Sequence, residues 1–199
     1  MKTNLAEQIL ACAATMPEGV PLTAKALLHL GSRAALDQAL SRLTRQEKLM
    51  RSGRGMYVRP IESRFGIRAP SPEKVVTETA RLRGETVASH GAAAANRLGL
   101  TTQVPMHTIY LTSGRSRRLT LGAQSIELKH APRWQLTNAG RPSGEVVRAL
   151  AWAGRPQAHE LLARIKEKLP EEVRKDLIAA RSALPEWLAK TISSELATQ

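Results

Sequence analysis

Apolar residues recur at helical spacing in the first and last parts of this chain and in short extended runs between them. Leu5, Ile9, Cys12 or Ala13, and Met16 form one stripe, opened by polar Thr3 and Asn4 and closed by Pro17, which predicts a helix over Thr3 to Met16. Thr23 is placed to cap a short helix through Leu30 with Ala26, Leu27 and Leu30 inward, and Gly31 breaks it. Ser32 caps a third helix, from Arg33 to about Gln46, whose buried face is Leu36, Ala39, Leu40 and Leu43. Two extended runs follow, Leu49 to Arg51 and Met56 to Arg59, joined by the glycine-rich turn SGRG. Helices followed by a hairpin tipped with Arg54 are the layout of a winged helix-turn-helix.

The segment RAPSPE, Arg68 to Glu73, holds two prolines that push their preceding residues toward extended backbone, and it reads as a linker. Beyond it the pattern predicts an N-capped helix from Ser71 to Arg83 with Val75, Val76, Thr79 and Leu82 inward. A strand at Thr86 to Ser89, an alanine-rich helix at Gly91 to Leu98, and strands at His107 to Thr112, Leu119 to Leu121 and Ser125 to His130 come next. From about Glu145 the chain is helical, with Pro156, Pro170 and Pro185 near helix starts and two to four short amphipathic helices. The expectation is an α+β protein: a winged helix-turn-helix domain over 1–68, then a mixed α+β domain over 69–199 with a small sheet and C-terminal helices.

Charge narrows the partner. The 199 residues carry 30 Lys and Arg against 17 Asp and Glu, a net charge of +13. Residues 1–68 hold +6, 69–154 another +6, and 155–199 only +1, so the surface for a polyanion is expected upstream of Arg155. Aromatic residues make up 3%, which argues against a single-strand binder built on stacking platforms. A single Cys excludes a disulfide framework and a cysteine-rich zinc module, and suits a reducing cytoplasm. No run approaches the roughly 18 apolar residues of a membrane span, so a soluble, unprocessed cytoplasmic protein is expected.

The buried stripe of the third helix fixes its opposite face as Gln38, Ser41, Arg42 and Arg45, with Arg33 at the N-terminal end. Arg pairs bidentately with guanine and Gln with adenine, the chemistry of a major-groove reader. Arg51 and Arg54 of the wing are placed to reach phosphates or the minor groove. The alternative at this point is a protein-docking winged helix with a solvated basic face. A second basic focus is SGRSRR, where Arg115, Arg117 and Arg118 either clamp phosphate with Ser113 and Gly114 or form a charged hairpin tip.

Catalysis finds no constellation. The His residues lack metal-ligand spacing, and no glycine loop is followed by Lys-Ser or Lys-Thr. Gly31, Ser32 and Asp37 mimic the start of a nucleotidyltransferase motif, but position 39 is Ala where a second metal-binding carboxylate is required. No catalytic residue, metal or cofactor is expected.

The run SHGAAAANRLGLTTQVPMHTIYLTSGRSRRLTLGAQSIELKHAPR, Ser89 to Arg133, resembles the AbiEi-type antitoxins of bacterial AbiE toxin-antitoxin systems, and the similarity extends over about residues 1 to 155. The resemblance implies a transcriptional autorepressor that binds inverted repeats in its own promoter as a monomer or homodimer. It also implies a separately encoded nucleotidyltransferase-like toxin, whether or not the two form a stable complex. Carried over residue by residue, it selects Arg33, Gln38, Arg42, Arg45, Arg51 and Arg54. The competing classes are an interaction antitoxin whose basic surface engages a toxin or RNA, and a nucleic-acid-modifying enzyme with an unrecognised site.

Overall fold

Helix α1 (Leu5–Thr15) begins where Asn4 closes a capping box: its Oδ1 accepts the Ala6 N–H, and the Glu7 carboxylate accepts the Asn4 N–H at 3.0 Å. A computed structural model describes residues 4–64, 66–103 and 106–196 and shows an α+β fold. Its contacts divide the chain into two units: Met1–Glu85 with Arg117–Glu127, and Thr86–Ser116 with Leu128–Gln199.

In the first unit, α1 buries Ile9 and Ala13 against α2 (Arg33–Arg45). Ser32 Oγ accepts the Ala35 N–H at the start of α2, and Leu36, Ala39, Leu40 and Leu43 are buried, the expected stripe. Each buried leucine contributes about 1.5–3 kcal/mol by leaving water. Cys12 is half-buried against this core.

The segment between α1 and α2 differs from expectation. Residues 24–30 form a run of turns rather than an α-helix, with the N–H groups of Ala26, Leu27 and Leu30 donating to the carbonyls of Thr23, Ala24 and Leu27. Such i→i+3 bonds eclipse every third side chain. The inward set is therefore Ala24, Leu27 and half-buried Leu30, and Ala26 is exposed. Thr23 still caps the segment, its Oγ1 accepting the Ala26 N–H.

Strands β1 (Met50–Gly53) and β2 (Met56–Val58) pair antiparallel, and an isolated bridge joins Leu22 to Tyr57. A second antiparallel ribbon follows, β3 (Ile61–Ser63) with β4 (Gly66–Arg68), almost wholly exposed. Helix α3 (Pro72–Arg83) buries Val75, Val76, Thr79 and Ala80. Its stripe is rotated toward Ala80, which carries Leu82 out to 54% exposure, against expectation. Ser71 makes no side-chain cap; its N–H donates to Glu18 at 2.9 Å. Lys74 also bonds Glu18, and this bond together with the Ser71 N–H holds the carboxyl below its usual pKa. Gly19, at φ +88°, lies so close that a Cβ would meet the Lys74 backbone at 2.8 Å. Residues 68 and 69 both lie in the first unit, and RAPSPE is bonded to the loop after α1 through Glu18.

Strand β7 (Arg117–Leu121) completes this unit, with Leu119 and Leu121 buried. At Gly53 an added Cβ would meet Met56 Cε at 2.9 Å and would touch Leu119 Cδ2 at an ordinary 3.5 Å. β8 (Gln124–His130) follows a turn at Gly122, φ +61°, and the division between units falls within it.

In the second unit β5 (Val87–Ser89) pairs antiparallel with β6 (Thr108–Thr112). Helix α4 (Gly91–Arg97) is capped by His90 Nδ1, which accepts the Ala92 N–H. α4 lies on α5 (Pro142–Ala153) through Ala94, Ala95 and Ala149. At Gly91 a Cβ would stand 2.5 Å from the Arg148 carbonyl oxygen, so only glycine allows this approach. Helices α6 (Arg155–Ile165), α7 (Glu171–Ala180) and α8 (Glu186–Leu196) build a core with α5 from Val146, Val147, Leu150, Leu162, Leu177, Leu188 and Ile192. Trp134 and Trp187 pack against it, whereas Trp152 is 42% exposed. Among the described residues no helix is long and apolar enough to cross a membrane.

Arg148 is the largest fully buried side chain, 1% exposed. One terminal nitrogen donates to the Ala139 carbonyl, while Nε and Nη1 find no partner among the described residues. Burial pulls its pKa down to about 10. Arg148→Met keeps the length and removes the desolvated charge, so its unfolding midpoint in urea is expected to stay level or rise, by up to about 2 kcal/mol in stability. A fall of more than about 1 kcal/mol would show that the guanidinium satisfies a polar group that methionine leaves bare.

Candidate nucleic-acid interface

The leucine stripe of α2 leaves one face of the helix to solvent, and the side chains on it are those expected. Arg33, Gln38, Arg42 and Arg45 are exposed and Ser41 is half-buried. Gln38, Ser41, Arg42 and Arg45 line an open concavity of about 610 Å³ together with Leu5, Ala35, Asp37 and Ala39. Arg42 and Arg45 fall in the last turn of α2, where the carbonyl end of the helix dipole favours cations. Arg33 stands apart from them: its Nε donates to Asp37 Oδ2 at 2.9 Å, one turn on.

The β1–β2 hairpin carries Arg51 and Arg54, both exposed. Arg51 Nε donates to the Gly53 carbonyl at 3.4 Å, and Gly55 takes φ +68° to close the turn beside Arg54. The backbone reverses at Arg54 and Gly55, so the guanidinium is carried at the loop tip.

The second basic focus is split by its own chemistry. Arg117 is only 16% exposed in its side chain and makes a two-pronged pair with Glu85, at 2.6 and 3.1 Å. It serves the first unit as a structural tie and is drawn off from any phosphate. Ser113 Oγ accepts the Thr86 N–H, the Gly114 N–H donates to Thr112 Oγ1, and Ser116 Oγ accepts the His130 N–H. The Ser113 hydroxyl and the Gly114 amide, read from the sequence as clamp partners, thus bond Thr86 and Thr112 within the protein. Arg118 is exposed on β7 in the first unit, and Arg115 is exposed in the second.

The sequence pattern did not reveal the β3–β4 ribbon, which carries Arg68 opposite Ile61, at the end away from the turn that holds Arg64. Its signal was weak: three-residue strands around one glycine, Gly66 at φ +105°. Among the described residues no group of three or more His, Cys, Asp and Glu side chains is arranged to hold a metal ion.

A family model described as "Family of unknown function (DUF6088)" matches residues 8–177. The chain belongs to this family. The DUF6088 match takes in all of α2 and the β1–β2 hairpin, and of the residues lining the concavity only Leu5 lies outside it. Helix α8 also lies beyond the match. No curated protein matches this DUF6088 chain.

Proposed function

We propose that this DUF6088 protein binds double-stranded DNA in a sequence-specific manner and represses its own promoter, with residues 1–68 forming a winged helix-turn-helix and α2 as the recognition helix. The observation that carries the reading is the two-faced α2. One side is closed into the core by Leu36, Leu40 and Leu43, and the other offers Gln38, Arg42 and Arg45 along an open concavity. In this reading the turns at 24–30 stand as the second helical element, β1–β2 is the wing, and the Leu22–Tyr57 bridge anchors the wing to the helices. The net charge of +13 supports a polyanionic partner. The role is non-catalytic and cytoplasmic.

The antitoxin part of the proposal rests on the sequence resemblance of Ser89 to Arg133 to AbiEi-type antitoxins. It makes the partner toxin a nucleotidyltransferase-like protein encoded beside this one, and the operator an inverted repeat occupied by one chain or two.

Fluorescence anisotropy with the DNA upstream of the gene and with a scrambled duplex of equal length, at two salt concentrations, tests the DNA reading. Tighter binding to the upstream DNA that persists at the higher salt supports it. Equal and salt-labile binding to both would make the basic surface a general nucleic-acid contact. Arg54→Ala is expected to weaken binding to both duplexes alike and to reduce the slope of log affinity against log salt by about one unit. An unchanged slope would take the wing off the contact surface.

A further inference from the structure

Asp37 is the sole acidic residue of α2 and lines the same concavity as Gln38, Ser41, Arg42 and Arg45. A carboxylate on a surface meant for phosphate repels the backbone of any duplex, so on charge alone it lowers affinity for all DNA. The residue is nonetheless held in place. Arg33 Nε donates to Oδ2 at 2.9 Å, both side chains are more than half exposed, and the pair spans one helical turn. A carboxylate accepts at two oxygens and a guanidinium donates through five N–H groups, so this single bond occupies only part of either group.

We infer that Asp37 is a specificity-determining residue: Oδ1 accepts the exocyclic N4 amine of a cytosine in the major groove, while Arg33 acts as the positioning residue that fixes the carboxylate. This rests on α2 being the recognition helix. Among major-groove edges, cytosine presents an amine donor next to a C–H edge and suits a lone carboxylate. Guanine offers only acceptors there and is repelled. Arg33 remains cationic and keeps its terminal nitrogens for a phosphate, so the pair places a base contact and a backbone contact in fixed register. Repulsion from phosphate then works as discrimination, because the penalty is offset only where cytosine occupies the contacted position.

The test is anisotropy binding of the full-length protein and of Asp37→Asn to the upstream DNA, to the scrambled duplex, and to a set of upstream duplexes carrying each single base-pair substitution. Wild type is expected to show one position at which replacing a C·G pair costs about tenfold in affinity. Asp37→Asn is expected to bind the scrambled duplex several-fold tighter, to lose the penalty at that one position, and to keep the penalties elsewhere. Arg33→Ala should reduce the same penalty without raising scrambled-duplex affinity. An Asp37→Asn protein whose base-pair penalties match wild type, or which loses affinity equally for every duplex at unchanged helicity, overturns the assignment. Wild type binding all duplexes alike would remove the DNA-reading proposal itself, a result distinguishable from failure at Asp37 alone.

Discussion

Replacing Arg42 and Arg45 together by alanine is expected to lower affinity for the upstream DNA by two orders of magnitude or more, and affinity for a scrambled duplex by roughly tenfold. The asymmetry follows from where the two residues sit. Both are exposed and project from the face of α2 opposite Leu36, Leu40 and Leu43, so their truncation costs the core nothing. A bidentate arginine–guanine pair discriminates by about 1–3 kcal/mol, and two such pairs lost together give the larger figure. On scrambled DNA the same residues act only as cations, and their loss removes counterion release from two phosphates. Alanine also favours the helix, so unchanged circular dichroism is expected. An equal loss on both duplexes would mean that α2 touches only the backbone and that another element reads sequence.

Gly144→Ala is expected to destabilise the second unit by about 3–5 kcal/mol, the range of severe steric substitutions. Gly144 is in the first turn of α5, and a Cβ there would stand 2.0 Å from the Asn138 carbonyl oxygen and 2.8 Å from that of Thr137. Both obstacles are backbone, so no rotamer change relieves them. The loop that must move is fixed: Asn138 sits at φ +51°, its Nδ2 donates to Ser143 Oγ, and Ser143 Oγ donates in turn to Asp176, which Arg141 also binds. Gly140 provides the control. Nothing lies within 4 Å of its added Cβ, so Gly140→Ala should change stability by less than about 1 kcal/mol. The measurement is convenient because all three tryptophans, Trp134, Trp152 and Trp187, belong to this unit. Their fluorescence in urea therefore reports its unfolding. A Gly144→Ala midpoint equal to that of Gly140→Ala would show that the loop yields freely.

What could be read from the sequence was the part governed by local chemistry. The stripe and outer face of α2 follow from 3.6-residue periodicity and a serine cap, and the β1–β2 hairpin from a glycine-rich turn between short apolar runs. Residues 24–30 were misread because i→i+3 and i→i+4 geometries bury nearly the same residues over so short a span; Ala24 against Ala26 is the difference. Leu82 was misread because the rotation of α3 is set by what it packs on, including the Glu18 and Gly19 loop more than fifty positions upstream. The pairing of Arg117 with Glu85, 32 residues apart, leaves no trace in spacing. It changes Arg117 from a candidate ligand into a structural residue. β3–β4 escaped because an exposed ribbon carries no hydrophobic alternation to betray it.

The first unit takes its last strand from Arg117–Glu127, after the chain has departed at Glu85. During synthesis the α2 helix and both hairpins therefore leave the ribosome before Leu119 and Leu121 exist to cover β1, and at about 5–20 residues per second the gap lasts a few seconds. A chain that stops before Arg117 holds Arg33, Asp37, Gln38, Arg42 and Arg45 of α2 yet lacks the strand that brings Leu119 and Leu121 to the first unit. Under the proposed function, operator binding therefore waits on translation through β7.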